Sequence, residues 1–345
     1  MGFYRLIRAG FGENGMQIFE QKGAAKMQGM DLSIIIPVRN IEQQISGILR
    51  SVASQAADLE VEFIVVDMGS TDQTVLESVQ LIKELKLRGF VIQNGDTTVA
   101  SALNTGIQKA GGHYITFIFA RRLYRDFIRG YLETAVRTSA DFIFGSVSEE
   151  ESRACERRLI SKSIHRETGA QYIKGILKGN IHIDISAIML RRKFIVGKQI
   201  RFFDSCSYGY SEEFVFRCLL SAEVIVQAPT IIKRDAVYEL KRGKQKPAGN
   251  GIFQRTDAML RILDSIKTGG QDAELIQLFE QEKLPLAIMN GIDILLGEGV
   301  GYDAIRGYLK ASGYNKFLIT GKQTDSALKR RIFVWKTLPW MYKVK

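Results

Sequence analysis

The sequence predicts a parallel α/β sheet with helices on both faces, followed by a helical C-terminal appendage. Three observations carry this. Short, continuous apolar runs alternate with amphipathic segments at helical spacing, four times in succession. The apolar runs are unbroken rather than alternating, as in strands buried on both faces. From residue 251 onward strand-like runs disappear and helical periodicity continues.

Residues 1–30 form a basic segment, helical in pattern around a Gly-Glu-Asn-Gly break. The run LSIIIPV (32–38) is the first buried strand, and NIEQQISGILRSVASQ follows with its isoleucines and leucine on one helical face. VEFIVVD (61–67) is the second strand, and GSTDQTVLESVQLIKEL opens on capping residues and becomes a helix. GFVIQN is the third strand, and VASALNTGIQKA is a helix closed by Gly111-Gly112. YITFIF is the fourth strand, YRDFIRGYLETAVRT its helix and ADFIFGSV the fifth strand. The domain division predicted is 1–30, 31–245 and 246–345, with KRGKQKPAGNG (241–251) as linker. In such sheets ligands bind beyond the carboxyl ends of the strands. That rim comprises the loops at 38–40, 67–72, 94–96 and 120–122.

Composition bounds the function. The 345 residues are 46% hydrophobic and 25% charged, an ordinary globular balance. No apolar run reaches the ~18 residues of a membrane span, and the first residues carry no secretory pattern. Three cysteines without metal spacing (Cys155, Cys206, Cys218) predict a reduced, cytoplasmic chain. The three histidines have no partners at ligand spacing, so structural or surface roles are predicted for them, and no cofactor is expected. Net charge is +11, and 329–345 holds six positive residues, no acid, and Phe333, Trp335, Trp340 and Tyr342. This tail suits an anionic membrane surface at the inner face, or a solvated end that maintains solubility. A second basic run, 191–201, has five positive residues and no acid. No nucleic-acid-binding module is recognisable. Neither a Gly-x-Gly-x-x-Gly after the first strand nor a P-loop occurs, which excludes a Rossmann dehydrogenase or P-loop ATPase.

Four ordered segments remain: SIIIPVRN (33–40), EFIVVDMGSTDQT (62–74), ASALNTGIQKAGGHYITFI (100–118) and YSEEFVFRCLLSAEVIV (210–226). Together, over about residues 31–235, they resemble the inverting family 2 glycosyltransferases. That resemblance implies the GT-A fold, Rossmann-like and mostly parallel, and a nucleotide-sugar donor with a glycan or lipid-linked acceptor. Donor-binding positions carried over are Pro37, Arg39, Asn40, Asp67, Met68, Gly69, Ser70 and Asn104, with Asp72 and Gly106 also matching. Met68 stands where the family has a second carboxylate. Glu212 and Glu213 match the acidic pair that supplies the general base, either being the base. The departure lies at the fourth strand's end, where the family places metal-binding carboxylates in an Asp-x-Asp. Here Phe119, Ala120, Arg121 and Arg122 stand instead, and none can supply the oxygen ligands of a divalent cation. Two expectations follow. One is a metal-independent transferase in polysaccharide assembly, with Arg121 or Arg122 taking over the metal's charge. The other is an inactive relative that keeps the fold to bind a partner. Each residue also has a plainer role: Asp67 and Asp72 as helix caps, the glutamates as first-turn acids, the arginines as solvated loop residues.

Overall fold

The computed structural model of the chain describes residues 17–20 (backbone only), 30–161, 167–235, 249–270 and 272–342. Most of the predicted N-terminal segment and linker lie outside these residues. The described residues fall into two compact units. The first draws on Met1–Glu167, His182–Ser205 and Ser221–Lys241, the second on Thr168–Ile181, Cys206–Leu220 and Arg242–Lys345.

The first unit is built on a sheet of eight strands: β1 (Gln17–Glu20), β2 (Leu32–Val38), β3 (Val61–Asp67), β4 (Gly89–Gln93), β5 (Tyr114–Phe117), β7 (Phe142–Ser146), β8 (Ile188–Arg191) and β9 (Ile225–Ile231). Their order is β1-β4-β3-β2-β5-β8-β7-β9. Pairings β2/β3, β2/β5, β3/β4 and β7/β9 are parallel; β1/β4, β5/β8 and β7/β8 are antiparallel. The β2 and β3 runs are buried throughout, as unbroken apolar runs require. Helices α1 (Glu42–Gln55), α2 (Thr74–Glu84), α3 (Val99–Lys109) and α4 (Ile128–Thr138) follow the parallel strands. Ile45, Ile48, Leu49 and Val52 of α1 join Leu81 of α2 and Ile34, Ile36 and Val65 of the sheet in one core.

Three elements differ from the sequence reading. Residues Gln17–Glu20 are a strand pairing antiparallel with β4, not helix. Tyr124–Arg125, read as the start of a helix, forms a two-residue strand (β6) against Lys233–Arg234 (β10). The antiparallel β8 went unread because IMLR is too short to show periodicity. The basic run 191–201 is also partly consumed: Arg191 pairs with Asp141, and Arg192 Nε donates to the Gly112 carbonyl at 2.8 Å.

The second unit is helical: α6 (Gly169–Leu177), α8 (Tyr210–Ser221), α9 (Gln254–Thr268), α10 (Ala273–Leu278), α11 (Leu284–Gly297), α12 (Tyr302–Ala311) and α13 (Ser326–Thr337). The remaining helices, α5 (Glu149–Ile160) and α7 (Arg192–Gly197), belong to the first unit. A π-helical turn, Phe279–Lys283, joins α10 to α11. Part of the segment read as a basic aromatic tail (329–345) lies in α13, whose Leu328, Ile332 and Trp335 enter the unit's core with Ile288, Ile292 and Leu309.

Candidate functional site

At the carboxyl ends of β2 and β3 two loops cap each other's helices. Asn40, at φ 50°, occupies the left-handed region that asparagine tolerates. Its amide oxygen accepts from Thr71 N at 2.8 Å, and its backbone N donates to Ser70 Oγ at 2.9 Å. Asp72 accepts from Thr74 N at 3.0 Å and from Glu42 N at 3.2 Å, while Glu42 accepts from Gln73 N at 2.9 Å. The first-turn donors of α1 and α2 are thus satisfied by carboxylates of the opposite loop as well as their own. Burial opposes ionisation of Asp72, but the hydrogen bonds from Thr74 and Glu42 outweigh it and hold the carboxyl below its ordinary value.

Asp67, buried at the end of β3, closes the next turn by accepting from Gly69 N at 3.1 Å and Ser70 N at 3.2 Å. Gly69 has φ 76°, and a Cβ there would lie 3.0 Å from Asp96 N, so both conformation and space call for glycine. Met68 is buried and donates its N–H to Val38 O at 2.9 Å. Arg39 is exposed and pairs with the still more exposed Asp96 at 2.8 Å. Such a surface pair is weak, so Arg39 is the charged group of this loop set that a ligand can recruit at little cost. Pro37, in register with Val66, offers no N–H, and the registered pairing of β2 with β5 stops at Ile35–Phe117.

Asn104 on α3 is fully engaged. Its Nδ2 donates to Phe202 O at 2.9 Å and to the Asp204 carboxylate, and its Oδ1 accepts from Phe202 N at 2.9 Å. It braces the 202–204 segment, together with Thr98 Oγ1, which donates to Asp204 O at 2.6 Å. Gly106, the other residue of that motif, lies where a Cβ would be 2.4 Å from Ile35 Cγ2, so glycine lets α3 close on β2.

Beyond β5, Phe119 to Arg122 make a turn in which Arg122 N donates to Phe119 O at 2.9 Å. The two arginines diverge. Arg122 Nη1 donates to Asp184 Oδ2 at 3.0 Å, the Tyr124 hydroxyl to the same oxygen at 2.9 Å, and Ser186 N to Oδ1 at 2.9 Å. The buried Asp184 carboxylate is thereby satisfied on both oxygens. Burial, and next the Asp184 charge, push the Tyr124 phenol up to about 12. Arg121 is exposed and makes no ion pair among the described residues.

Glu212 and Glu213 stand in the first turn of α8, in the second unit. Glu213 is 2% exposed and meets Arg261 of α9 through two parallel bonds of 2.8 and 2.7 Å. Glu212 accepts from Arg255 at 3.2 Å and pairs with Lys283, the last residue of the π turn. Burial pushes the Glu212 carboxyl up, but Lys283 and Arg255 outweigh it and hold it below the ordinary value.

Comparison with known proteins then decides the family. The sequence model of glycosyl transferase family 2 matches residues 33–199, the span that builds the cross-capped rim and the β5 turn. Residues 33–199 are a family 2 glycosyltransferase domain. Over 116 residues the chain is 28% identical to Glycosyltransferase GlyA of Streptococcus pneumoniae serotype 4, covering 33% of this chain and 16% of that protein. The chain therefore spans about a sixth of that relative's length. Among solved structures, S. aureus TarS 1-349 in complex with UDP-GlcNAc superposes with TM-score 0.63 at 15% identity, over 89% of this chain and 87% of that one. The mannosyltransferase PcManGT from Pyrobaculum calidifontis, in complex with GDP-Man and Mn2+, gives TM-score 0.52 at 14% identity, over 92% and 91%. At these identities the likeness is one of fold, and the fold is GT-A.

The divalent metal that the family implies does not fit the glycosyltransferase domain at β5. Phe119, Ala120, Arg121 and Arg122 have no side-chain oxygen, and a cation there would meet guanidinium charge. Among the described residues no group of three or more His, Cys, Asp or Glu side chains is placed to hold a metal ion. Sequence reasoning missed Asp184, Asp204 and Arg261, the residues that fix Arg122, Asn104 and Glu213. They lie 62, 100 and 48 positions from their partners, and no local pattern links residues so far apart.

Proposed function

We propose that the protein transfers a sugar from a nucleotide-sugar donor to a glycan or lipid-linked acceptor in polysaccharide assembly, without a divalent metal. One observation carries this reading: Arg121, exposed and without an ion pair among the described residues, stands at the end of β5, where the family carries its metal carboxylates. Transfer breaks the bond between the anomeric carbon and the diphosphate oxygen, and the nucleoside diphosphate leaves with the electron pair. A permanently charged guanidinium can receive that charge through paired N–H bonds. The acceptor hydroxyl oxygen forms the new bond to the anomeric carbon from the opposite face, and its proton passes to a base. Glu212 is the better candidate base, because Glu213 is buried and clamped by Arg261. Arg39 and the Asp67–Ser70 turn contribute to donor binding; Asn40, Asp72 and Asn104 act by holding the loops that carry them.

A second reading has its own support. Both glutamates are ion-paired, and a base held ionised by two cations has reduced proton affinity. The same features suit a protein that binds a nucleotide sugar or saccharide without transferring it. Three free, buried cysteines support a reducing, cytoplasmic setting for either. No helix among the described residues is long and apolar enough to cross a membrane.

The test is a thermal-shift panel of uridine, guanosine, thymidine and cytidine sugar donors, each in chelator and in manganese. A donor that raises the melting temperature equally in both conditions supports the proposal. A panel with no shift in either condition removes it, and a shift confined to manganese removes its metal-free part. Release of nucleoside diphosphate in the presence of acceptor separates transfer from binding alone.

A further inference from the structure

The outward face of α13 and the Pro339–Met341 turn after it are not explained by glycosyl transfer. The helix is two-sided. Leu328, Ile332 and Trp335 are buried, and Tyr342 closes the core beyond them, its hydroxyl donating to Asp293 Oδ1 at 2.7 Å. Arg331 belongs to this inner set, pairing with Asp293 at 2.7 Å. On the other side Lys329, Phe333 and Lys336 recur every three to four residues and so share one exposed face, with Arg330 beside them.

Apolar exposure concentrates here. Of the twelve large hydrophobic side chains exposed among the described residues, four lie between 333 and 341. Phe333 is 64% exposed, Trp340 64%, Met341 59% and Leu338 37%. The turn is tied down, since the Tyr302 hydroxyl donates to Trp340 O at 3.2 Å. Trp340 and Met341 are thus presented outward from an anchored backbone. No acidic residue occurs from 326 to 345, and the nearest in sequence, Asp325, is occupied in capping α13 through bonds to Ala327 N and Leu328 N.

We infer that this face is an interfacial anchor for an anionic lipid surface, with Phe333, Leu338, Trp340 and Met341 entering the headgroup layer and Lys329, Arg330 and Lys336 meeting lipid phosphates. Indole and thioether side chains flanked by lysine and arginine suit that boundary, where the surroundings turn from apolar to charged within a few ångströms. The alternating charge and apolar surface argues against a second protein, whose interface core would be depleted of lysine. Insertion is shallow, since the opposite side of the helix is committed to the core. Neither donor nor acceptor is needed for this contact.

Deleting the segment would remove Leu328, Ile332 and Trp335 from the core, so the test uses outward-facing substitutions in the full chain. Flotation with phosphatidylglycerol–phosphatidylcholine vesicles is compared with phosphatidylcholine vesicles alone, at low and high salt. The wild-type protein floats with the anionic vesicles and is released by salt. Each basic side chain near such a surface is worth about fivefold in affinity, so the Lys329→Glu/Lys336→Glu variant loses at least roughly 30-fold. The Phe333→Ser/Trp340→Ser variant also loses binding, while far-ultraviolet circular dichroism and thermal melting match wild type. Undiminished binding by both folded variants, or no wild-type binding to anionic vesicles, overturns the inference. So does a self-association, seen by sedimentation velocity without lipid, that the Phe333→Ser/Trp340→Ser variant abolishes.

Discussion

The arginine pair at the end of β5 and the glutamate pair at the start of α8 have met opposite fates. Both are adjacent like charges at positions where the sequence resemblance leads one to expect functional carboxylates. Of the arginines, Arg122 is bound to a buried aspartate and Arg121 is left in solvent. Of the glutamates, neither is left alone: Glu213 is clamped by Arg261, and Glu212 lies between Arg255 and Lys283. A match of residue type therefore says little about availability. Arg121 makes no ion pair among the described residues, whereas both glutamates have their charges occupied.

The largest effect that can break this comparison is expected at Glu213. Glu213→Ala removes the buried carboxylate that the half-buried Arg261 meets through two bonds, and unfolding in denaturant should show a loss of about 1.5–3 kcal/mol. Glu213→Leu combined with Arg261→Leu should recover most of it, because the pair is then replaced rather than broken. A loss under about 1 kcal/mol in the single variant would show that Glu213 is not held for structure and restore it as a candidate base.

A smaller effect separates the arginines. Arg122→Ala removes one of three donors to the buried Asp184, leaving Tyr124 and Ser186 N, and should cost about 1–2 kcal/mol of stability. Arg121→Ala should change stability by less than about 0.5 kcal/mol, as exposed substitutions do. Equal losses from the two would erase the distinction drawn between them.

The smallest expected effect is in the acid limb. The folded Glu212 carboxyl titrates below its ordinary 4.5. Its ionised form therefore stabilises the fold above pH 4.5, and that contribution is lost as pH falls through the lower folded value. Glu212→Gln should make the stability–pH curve shallower below pH 4.5, read from denaturant midpoints at successive pH values. A wild-type slope in the variant would mean that Lys283 and Arg255 do not act on this carboxylate.

The sheet was legible because its strands are buried on both faces, which leaves runs such as SIIIPV and FIVVD in plain view. The four-residue β8 and the two-residue β6 were not, since neither is long enough to display a period. In 329–345 charge and aromatic content were legible, but burial was not. Trp335 and Tyr342 are 3% and 8% exposed and serve the core, whereas Phe333 and Trp340 do not. At the rim, residue types singled out Asp67, Gly69 and Asn104 as candidates. Only coordinates show that Asn104 spends its amide on Phe202 and Asp204, and that Arg122 spends its charge on Asp184. Those roles depend on partners brought near by topology, not by sequence.

Isothermal titration of the donor that gives the largest thermal shift, in chelator, tests the central claim most directly when wild type is set beside Arg121→Ala. A free guanidinium meeting the diphosphate predicts metal-free binding by wild type and a loss of about tenfold to a hundredfold in Arg121→Ala, the worth of one charge-assisted contact of about 1.5–3 kcal/mol. Unchanged affinity in Arg121→Ala, or wild-type binding that appears only when manganese is added, would contradict it.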